Sequence, residues 1–224
     1  MDRRIDLATL VAALRESPPH PSSDYELNPE IVLPPGRVLK PAAVLIGVVG
    51  ESVVLTKRAS HLKHHPGQIA LPGGKVDAGD ADAAAAALRE AHEEIGLAPA
   101  TVDILGALPA HETVTGYSIK PVIAHITRDF QAVPEAGEVA EVFRVPIAHL
   151  LDPGNYRIEG RRWRGVRRRY FVVPYTALGT DGYGRSDFRK ALRSHFEVDR
   201  YHVAVTALKS LADDGEIPTK QVVE

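Results

Sequence analysis

Two short apolar runs lie close together in the first half of the chain. The first covers residues 42–49, the second covers residues 52–57 and is rich in β-branched side chains, and a Gly-Glu pair separates them. Apolar runs of this length around a two-residue turn predict a β-hairpin. We therefore expect two central strands of a sheet here, and two more strands at residues 101–110 and 117–126, joined by a loop.

A helical pattern runs from residue 82 to residue 95. It contains a run of five alanines, the residue that most favours helix. Asp80 or Asp82 is placed to cap the N-terminus of this helix. Gly96 is placed to end it in the left-handed conformation that glycine adopts without steric cost.

The segment 17–40 contains six prolines. This composition predicts an extended arm, which either packs on the main domain or on a partner subunit, or forms a loose linker. Amphipathic patterns predict a helix before the arm, at residues 1–17, and another near the C-terminus, at residues 201–213. We divide the chain into an N-terminal helix and proline-rich arm, a main domain and a C-terminal tail: residues 1–40, 41–213 and 214–224.

The composition is that of one globular domain. The chain has 224 residues, of which 44% are hydrophobic and 25% charged. Its formal net charge of −2 gives no general attraction to nucleic acid or to an anionic membrane, so we expect neither as a partner. The absence of cysteine excludes disulfides, zinc–thiolate sites and cysteine nucleophiles. The N-terminal segment lacks the apolar core of a signal peptide, which makes the cytoplasm the expected location.

Three glutamates share one face of the central helix. Glu90, Glu93 and Glu94 are spaced i, i+3 and i+4, so their carboxylates project within about one turn. Like charges this close repel one another unless a cation lies among them, and carboxylate oxygens suit Mg²⁺ or Mn²⁺. Arg89 is placed to pair with Glu93 and to hold its carboxylate at a fixed angle. The pattern indicates either a divalent-metal site or a solvated acidic face.

A Pro-Gly-Gly turn before this helix favours the metal site. Gly73 and Gly74 let the backbone approach a ligand closely, as phosphate-binding and metal-binding turns require. The preceding loop, residues 58–66, carries Arg58, Lys63 and three histidines, and it is placed to surround an anion. The histidine spacing is not that of a zinc site, so we do not expect one.

The most basic segment covers residues 157–169. It predicts a β-hairpin with its tip at Gly165 and Val166. Arginines around a tryptophan can contact RNA or a nucleotide phosphate, whereas alternating arginines on an exposed strand are more often solvent-facing. The pattern leaves both interpretations open.

The segment from Gly74 to Leu97 matches a known signature. Gly74 followed by R-E-A-H-E-E-I-G-L at residues 89–97 resembles the Nudix box of hydrolases that cleave nucleoside diphosphates linked to another moiety. The second half matches at every fixed position. In the first half, eight residues separate Asp80 from Arg89 where the box has seven, and we expect the loop to absorb the extra residue.

A stretch upstream of the box resembles one branch of this family, the coenzyme A pyrophosphatases. The chain departs from the branch motif at Lys63, which stands in place of arginine, and at Leu71, which stands in place of phenylalanine. The C-terminal Trp-Gly-x-Thr-Ala of the branch is reduced to Thr206-Ala207. The matching positions are Leu55, Thr56, Arg58, Ala59, Gly67, Pro72, Gly73 and Gly74.

The resemblance implies an α/β fold, a Nudix-like α/β/α sandwich with a mixed central sheet. It implies a hydrolase that uses Mg²⁺ or Mn²⁺, held by Glu90, Glu93, Glu94 and the Gly74 carbonyl, with Arg89 orienting Glu93. Members of the family are commonly homodimers, and this chain is expected to act on a small nucleotide substrate.

For the branch, the implied reaction is cleavage of coenzyme A to 3',5'-ADP and 4'-phosphopantetheine. Arg58 and Lys63 would hold phosphate oxygens beside Gly73 and Gly74. In the family pattern an acidic residue also precedes an apolar strand and a Val-Pro-Ile step. Glu138, with Glu141 as second choice, fits that place as a general base or a further metal ligand. The alternatives are a Nudix hydrolase of another nucleoside diphosphate derivative or nucleoside triphosphate, and a non-catalytic nucleotide- or RNA-binding module.

Overall fold

The computed structural model describes residues 7–16, 20–33, 35–63, 65–163 and 166–175. The described residues form three α-helices, eleven strands and two short 3₁₀ turns. In chain order they are α1 Leu7–Glu16, β1 Ser22–Ser23, β2 Lys40–Val49, β3 Ser52–Arg58, β4 Ile69–Ala70, β5 Gly73–Lys75, α2 Ala83–Ile95, the 3₁₀ turn Pro99–Thr101, β6 Val102–Ala107, β7 His111–Glu112, β8 Tyr117–Ile126, β9 Val139–Pro146, α3 Ile147–Leu151, the 3₁₀ turn Pro153–Asn155, β10 Arg157–Trp163 and β11 Val166–Val172.

Nine of these strands form one mixed sheet, in which β1, β7, β8, β2, β3 and β4 are neighbours in that order. Strands β2 and β8 run parallel from Lys40 opposite Tyr117 to Val48 opposite His125. The predicted β2–β3 hairpin is confirmed, but its strands pair only beside the turn. Farther from the turn β2 pairs with β5 and β3 pairs with β4, so the hairpin opens, while β9 pairs with β3 along its other edge.

Helices cover both faces of this sheet. Side chains alternate along β2, so that Ala43 and Leu45 face one side and Val44 and Ile46 face the other. The first side packs against three buried alanines of α2, and the second packs against apolar residues of α1 and α3. Small alanine side chains let α2 lie close to the sheet, while burial of each large aliphatic side chain contributes about 1.5–3 kcal/mol. The predicted α/β/α sandwich with a mixed central sheet is confirmed.

The described part of the proline-rich arm packs on the sheet. Ser22 and Ser23 in β1 pair in parallel with His111 and Glu112 in β7. Strand β7 lies inside the segment predicted as a loop, because pairing with β1 and β8 supplies hydrogen bonds that a local pattern does not reveal. Leu10 of α1 is buried in the core at 4% exposure. The proposed boundaries at residues 40 and 213 stay predictions.

The basic segment forms the predicted hairpin, β10–β11, as a separate two-stranded sheet. Val166 pairs with Trp163 as the first residue of β11, so it belongs to the strand and not to the tip. The predicted helix at residues 201–213, the Thr206-Ala207 pair and the tail 214–224 lie outside the described residues. None of the helices in the described ranges is both long and apolar enough to cross a membrane.

Candidate active site

Helix α2 begins and ends where its sequence predicts. The Asp82 side chain caps it by accepting a hydrogen bond from the Ala85 backbone N–H at 2.8 Å. Gly96 ends it in the left-handed conformation, with φ of 70°. Both ends are therefore defined by local chemistry, and they set the directions in which the glutamates of the last two turns project.

Arg89 lies at the centre of a polar network beside this helix. Its guanidinium binds Asp80 through two hydrogen bonds of 3.0 Å each. It also donates to Glu90 at 3.2 Å, to Glu93 at 3.1 Å and to the Lys75 carbonyl at 3.1 Å. The predicted Arg89–Glu93 pair is confirmed. One positive group thus orients two glutamates of the helix and ties them to the loop before it.

Asp80 has a role that the sequence interpretation missed. It is not the helix cap; its side chain, 7% exposed, accepts from Arg89 and from the Asp77 backbone N–H. These hydrogen bonds, led by the one from Arg89, lower the pKa of Asp80, and the same pair raises the pKa of Arg89. Asp80 precedes the helix and reaches Arg89 despite the extra residue between them. The available signal was the acidic position of the box itself, nine residues before the arginine.

The two glycines of the turn are required for different reasons. Gly73 has φ of +154°, and a Cβ there would lie 2.3 Å from the Ala43 carbonyl oxygen. At Gly74 a Cβ would lie 2.2 Å from Glu90 Oε1. The first glycine allows β5 to lie against β2, and the second leaves room for the Glu90 carboxylate beside the turn. The backbone of the turn and the acidic face of α2 are therefore in direct contact.

The three glutamates occupy three different environments. The residue Glu94 is 4% exposed, and its Oε2 accepts a hydrogen bond from the Gly73 N–H at 3.2 Å. The Glu90 side chain is 18% exposed, and the Glu93 side chain is 57% exposed. The face therefore runs from an anchored carboxylate to one that is accessible to solvent and ligands.

The loop with Arg58 and Lys63 is closed at its base. The Arg58 N–H donates to the Gln68 carbonyl at 2.8 Å, and the Gly67 N–H donates to the Arg58 carbonyl at 3.1 Å. Arg58 ends β3 and is half-buried, whereas Lys63 lies on the loop and is exposed. The structure therefore holds Arg58 on the sheet and leaves Lys63 at the surface.

Glu138 and Glu141 lie in different places. The Glu138 carbonyl accepts from the Ala59 N–H at 2.8 Å, which puts this exposed residue at the base of the same loop. Glu141 lies in β9, with its carboxylate 4.0 Å from Lys57 Nζ. It lies two residues before Phe143, so both side chains are on the same face of the sheet. Phe143 packs in the cluster covered by α1 and α3. Glu141 is thus on the face of the sheet opposite α2, while Glu138 lies at the strand end.

Glu135 is a further acidic residue close to α2. Its backbone N–H donates to the Glu94 carbonyl at 2.9 Å, and the Val133 N–H donates to the Ile95 carbonyl at 3.0 Å. A Cβ at Gly137 would lie 2.9 Å from Glu135 Oε2. Segment 133–138 therefore connects the end of α2 with the base of the loop at residues 58–66, which carries Arg58 and Lys63 and is called the basic loop below. Its acidic, turn-rich composition was the only sequence signal for this placement.

A NUDIX domain model matches residues 38–163 of this chain. The chain belongs to the Nudix family. Proteins named "Uncharacterized Nudix hydrolase NudL" are 44% identical to it in Enterobacter sp. (strain 638) and 42% identical in Escherichia coli (strain K12). Each match extends over 147 residues, which is 61% of this chain and 77% of the relative. The crystal structure of RenU, a Nudix hydrolase from M. smegmatis, matches 52% of this chain and 82% of its own with 25% identity and a TM-score of 0.42.

The family and its relatives make this protein a Nudix hydrolase, a pyrophosphatase that acts on small nucleotide derivatives. Nudix hydrolases generally need divalent metal cations. Within the described residues, no three His, Cys, Asp or Glu side chains are already gathered around a point that could hold an ion. The donor chemistry nevertheless fits, because Glu90, Glu93 and Glu94 share one face and the Gly74 backbone lies against Glu90. Their carboxylates instead pair with Arg89 and the Gly73 N–H.

Proposed function

We propose that this Nudix hydrolase cleaves the pyrophosphate of coenzyme A or its derivatives to 3',5'-ADP and 4'-phosphopantetheine or its acyl form. The supporting observation is that the two segments resembling the coenzyme A branch form one structural unit. The basic loop is closed on Arg58, and the Pro-Gly-Gly turn that follows is in contact with Glu90 and Glu94. A phosphate held by the loop would therefore lie near the acidic helix.

The metal is proposed to be Mg²⁺ or Mn²⁺, held by Glu90, Glu93, Glu94 and the Gly74 carbonyl. When bound, such a cation neutralises pyrophosphate charge and makes water more acidic. Arg89 positions Glu90 and Glu93 through its hydrogen bonds, while Asp80 fixes Arg89. Oxygen donors and a backbone carbonyl are the ligand set that these hard cations prefer.

Glu138 is proposed as the general base that takes a proton from the attacking water. Its position at the base of the loop, bonded through its carbonyl to Ala59, supports this choice. Glu141, the second choice, lies across from Lys57 on the other face of the sheet. Because Glu135 lies next to the end of α2, we test it as the alternative general base instead of Glu141. Comparison of the three Glu→Gln variants assigns the role, since only loss of the base removes the pH dependence of kcat on its acidic side.

Arg58 and Lys63 are proposed to bind the phosphate oxygens of the substrate, next to Gly73 and Gly74. Arginine binds a phosphate through two parallel hydrogen bonds, whereas lysine supplies one compact charge. The lysine in place of the branch's arginine therefore predicts a weaker, less directional contact on the exposed part of the loop. A Lys63→Arg variant that lowers KM for coenzyme A would support this role.

The decisive experiment is product analysis by mass spectrometry. The full chain is incubated separately with coenzyme A, ADP-ribose, NADH and a nucleoside triphosphate, with Mg²⁺ or Mn²⁺. Faster release of 3',5'-ADP and phosphopantetheine than of any other product supports the proposal. Preference for another substrate would retain the hydrolase and reject coenzyme A, and inactivity towards all four would favour a nucleotide-binding role. We also propose that the protein is located in the cytoplasm and forms a homodimer. Analytical ultracentrifugation of the full chain tests the dimer.

A further inference from the structure

The β10–β11 hairpin carries a concentration of positive charge that is not part of the proposed hydrolytic site. Residues 157–172 contain seven arginines, no lysine and one glutamate, in a chain whose formal net charge is −2. The net charge of the whole chain gives no general attraction to nucleic acid, but the local charge of this hairpin is strongly positive.

Two cross-strand pairs of this hairpin place arginine opposite arginine. Arg161 lies directly opposite Arg168, and Arg162 lies directly opposite Arg167. Like charges directly across a strand pair are destabilising. Arg162 and Arg167 are both exposed, and neither forms an ion pair with any residue that the structure describes. A solvent-facing hairpin selected only for stability would carry charges of both signs at such positions.

The hairpin is also held firmly on the domain. The Asn28 side chain, 2% exposed, accepts from the Arg169 N–H at 2.7 Å and donates to the Arg169 carbonyl at 3.0 Å. Arg168 lies over the Tyr25 ring, 5.9 Å from its centroid. Phe171 packs against the hydrophobic core. Arg162 and Arg167 therefore lie on a preorganised surface, which reduces the entropy lost on binding.

We infer that the exposed arginine pair of this hairpin, Arg162 and Arg167, binds the phosphates of a single-stranded nucleic acid. Guanidinium groups bind phosphate oxygens bidentately and stack on bases, which explains the use of arginine alone. Arg167 and the exposed Arg169 lie two residues apart on one face of β11, so they are separated by about 6.7 Å, comparable to the spacing of phosphates along an extended nucleic acid.

An anionic membrane fits this surface less well. Membrane-surface segments insert an apolar face beside their basic residues. Among the hairpin side chains whose exposure the structure describes, Phe171 packs against the core and Ile158 is 48% exposed. One half-exposed isoleucine among these described side chains does not form an apolar face, so the basic surface fits a hydrated polyanion better than a bilayer.

The test measures binding of a fluorescent oligouridylate of about 20 nucleotides to the full chain by anisotropy, at about 50 and 200 mM salt. We expect the Arg162→Gln/Arg167→Gln double variant to bind roughly tenfold more weakly or worse at the lower salt, with the slope of log K against log salt reduced by about 1.4. Arg128→Gln, at an exposed arginine outside the hairpin, is the single-charge control. An Arg162→Lys/Arg167→Lys variant should retain the salt slope and lose part of the affinity.

Three results would overturn the inference. These are no binding of the oligonucleotide by the wild type, equal binding by the double-glutamine variant, and binding only to phosphatidylserine-containing vesicles. Thermal unfolding checks the variants, and the double-glutamine variant should be at least as stable as the wild type because a like-charge pair is removed. Hydrolysis should be unchanged in that variant, so this test does not depend on the proposed substrate.

Discussion

Two polar clusters in this protein use similar groups for different purposes. The Arg89 cluster joins Asp80, Glu90 and Glu93 around one guanidinium at the edge of α2. In the His111 cluster, His111 Nε2 lies 3.0 Å from Asp24 Oδ1, and His111 Nδ1 lies 2.8 Å from Ser22 Oγ. The first combines neighbours in sequence, whereas the second joins side chains 87 and 89 positions apart.

Exposure separates the two clusters. The side chains of Arg89 and Glu93 are 29% and 57% exposed, but those of His111 and Asp24 are only 2% and 3% exposed. Exposed charges are screened by water and exchange partners at little cost, so the Arg89 cluster is suited to binding a cation and a substrate. Buried polar groups cannot exchange partners without a large penalty, so the His111 cluster is suited to attaching the arm to the sheet.

The comparison predicts that changes in the Arg89 cluster affect activity and changes in the His111 cluster affect stability. Glu93→Gln should reduce kcat by about 10³-fold, equivalent to about 4 kcal/mol, because it removes a charge from the proposed metal site. Its Tm should stay close to that of the wild type, since the side chain is 57% exposed. Hydrolysis assays and calorimetry measure the two effects, and near-normal turnover would remove Glu93 from the site.

His111→Ala should show the reverse pattern. It leaves a cavity and deprives Asp24 and Ser22 of a buried partner, which together cost about 2–4 kcal/mol of unfolding free energy. Activity per folded molecule should change little. Urea unfolding measures the loss, and His125→Ala, at a half-buried position on β8, is the matched control. Equal losses in both variants would mean that the cluster has no special role in attaching the arm.

Substitution of the two turn glycines should separate the same two effects, because one change lowers stability and the other lowers activity. Gly73→Ala should cost about 2 kcal/mol or more of stability, because the new Cβ meets the backbone at Ala43 and φ is +154°. Gly74→Ala should mainly reduce activity, because the new Cβ meets the movable end of the Glu90 side chain. Unfolding curves and kcat/KM of both variants provide the test. A stability loss at Gly74 as large as at Gly73 would contradict it.

Asp80→Asn should have the smallest effect, a loss of activity of roughly tenfold through a misplaced Arg89. The pKa of Asp80 is lowered in the folded state from its ordinary value of 3.8. Its pairing therefore stabilises the fold fully above about pH 4, and this contribution is lost as pH falls through the folded-state pKa. Wild type and variant should differ in stability at pH 6 and converge as pH falls below the folded-state pKa of Asp80. Asp103→Asn, at an exposed carboxylate, is the control, and a constant difference across this pH range would contradict the assignment.

Local patterns were sufficient for much of the fold and for part of the candidate site. The ends of α2, the β2–β3 turn, the β10–β11 hairpin and the Arg89–Glu93 pair follow from short-range geometry. In each case the interacting groups lie within one turn of helix or one hairpin. The chain order of such groups fixes their contacts, whatever the rest of the protein does.

Other features required the tertiary structure. The pairing of β1 with β7, the Asn28–Arg169 contact and the burial of His111 join residues far apart in the chain, and none has a periodic signal. The same holds for Glu141, whose place opposite α2 depends on the register of β9 with β3. A one-residue change of register would move that carboxylate to the other face of the sheet.

By itself, the sequence determined the family signature, the acidic face of α2 and the glycines before it, because each is a matter of residue type at fixed short spacing. Only the tertiary structure decided which distant groups meet that face. It brought Glu135 and Glu138 to the region between α2 and the basic loop, and it attached the arm through His111. The physical reason is that long-range contacts depend on strand register and packing of the whole sheet, which no local spacing encodes.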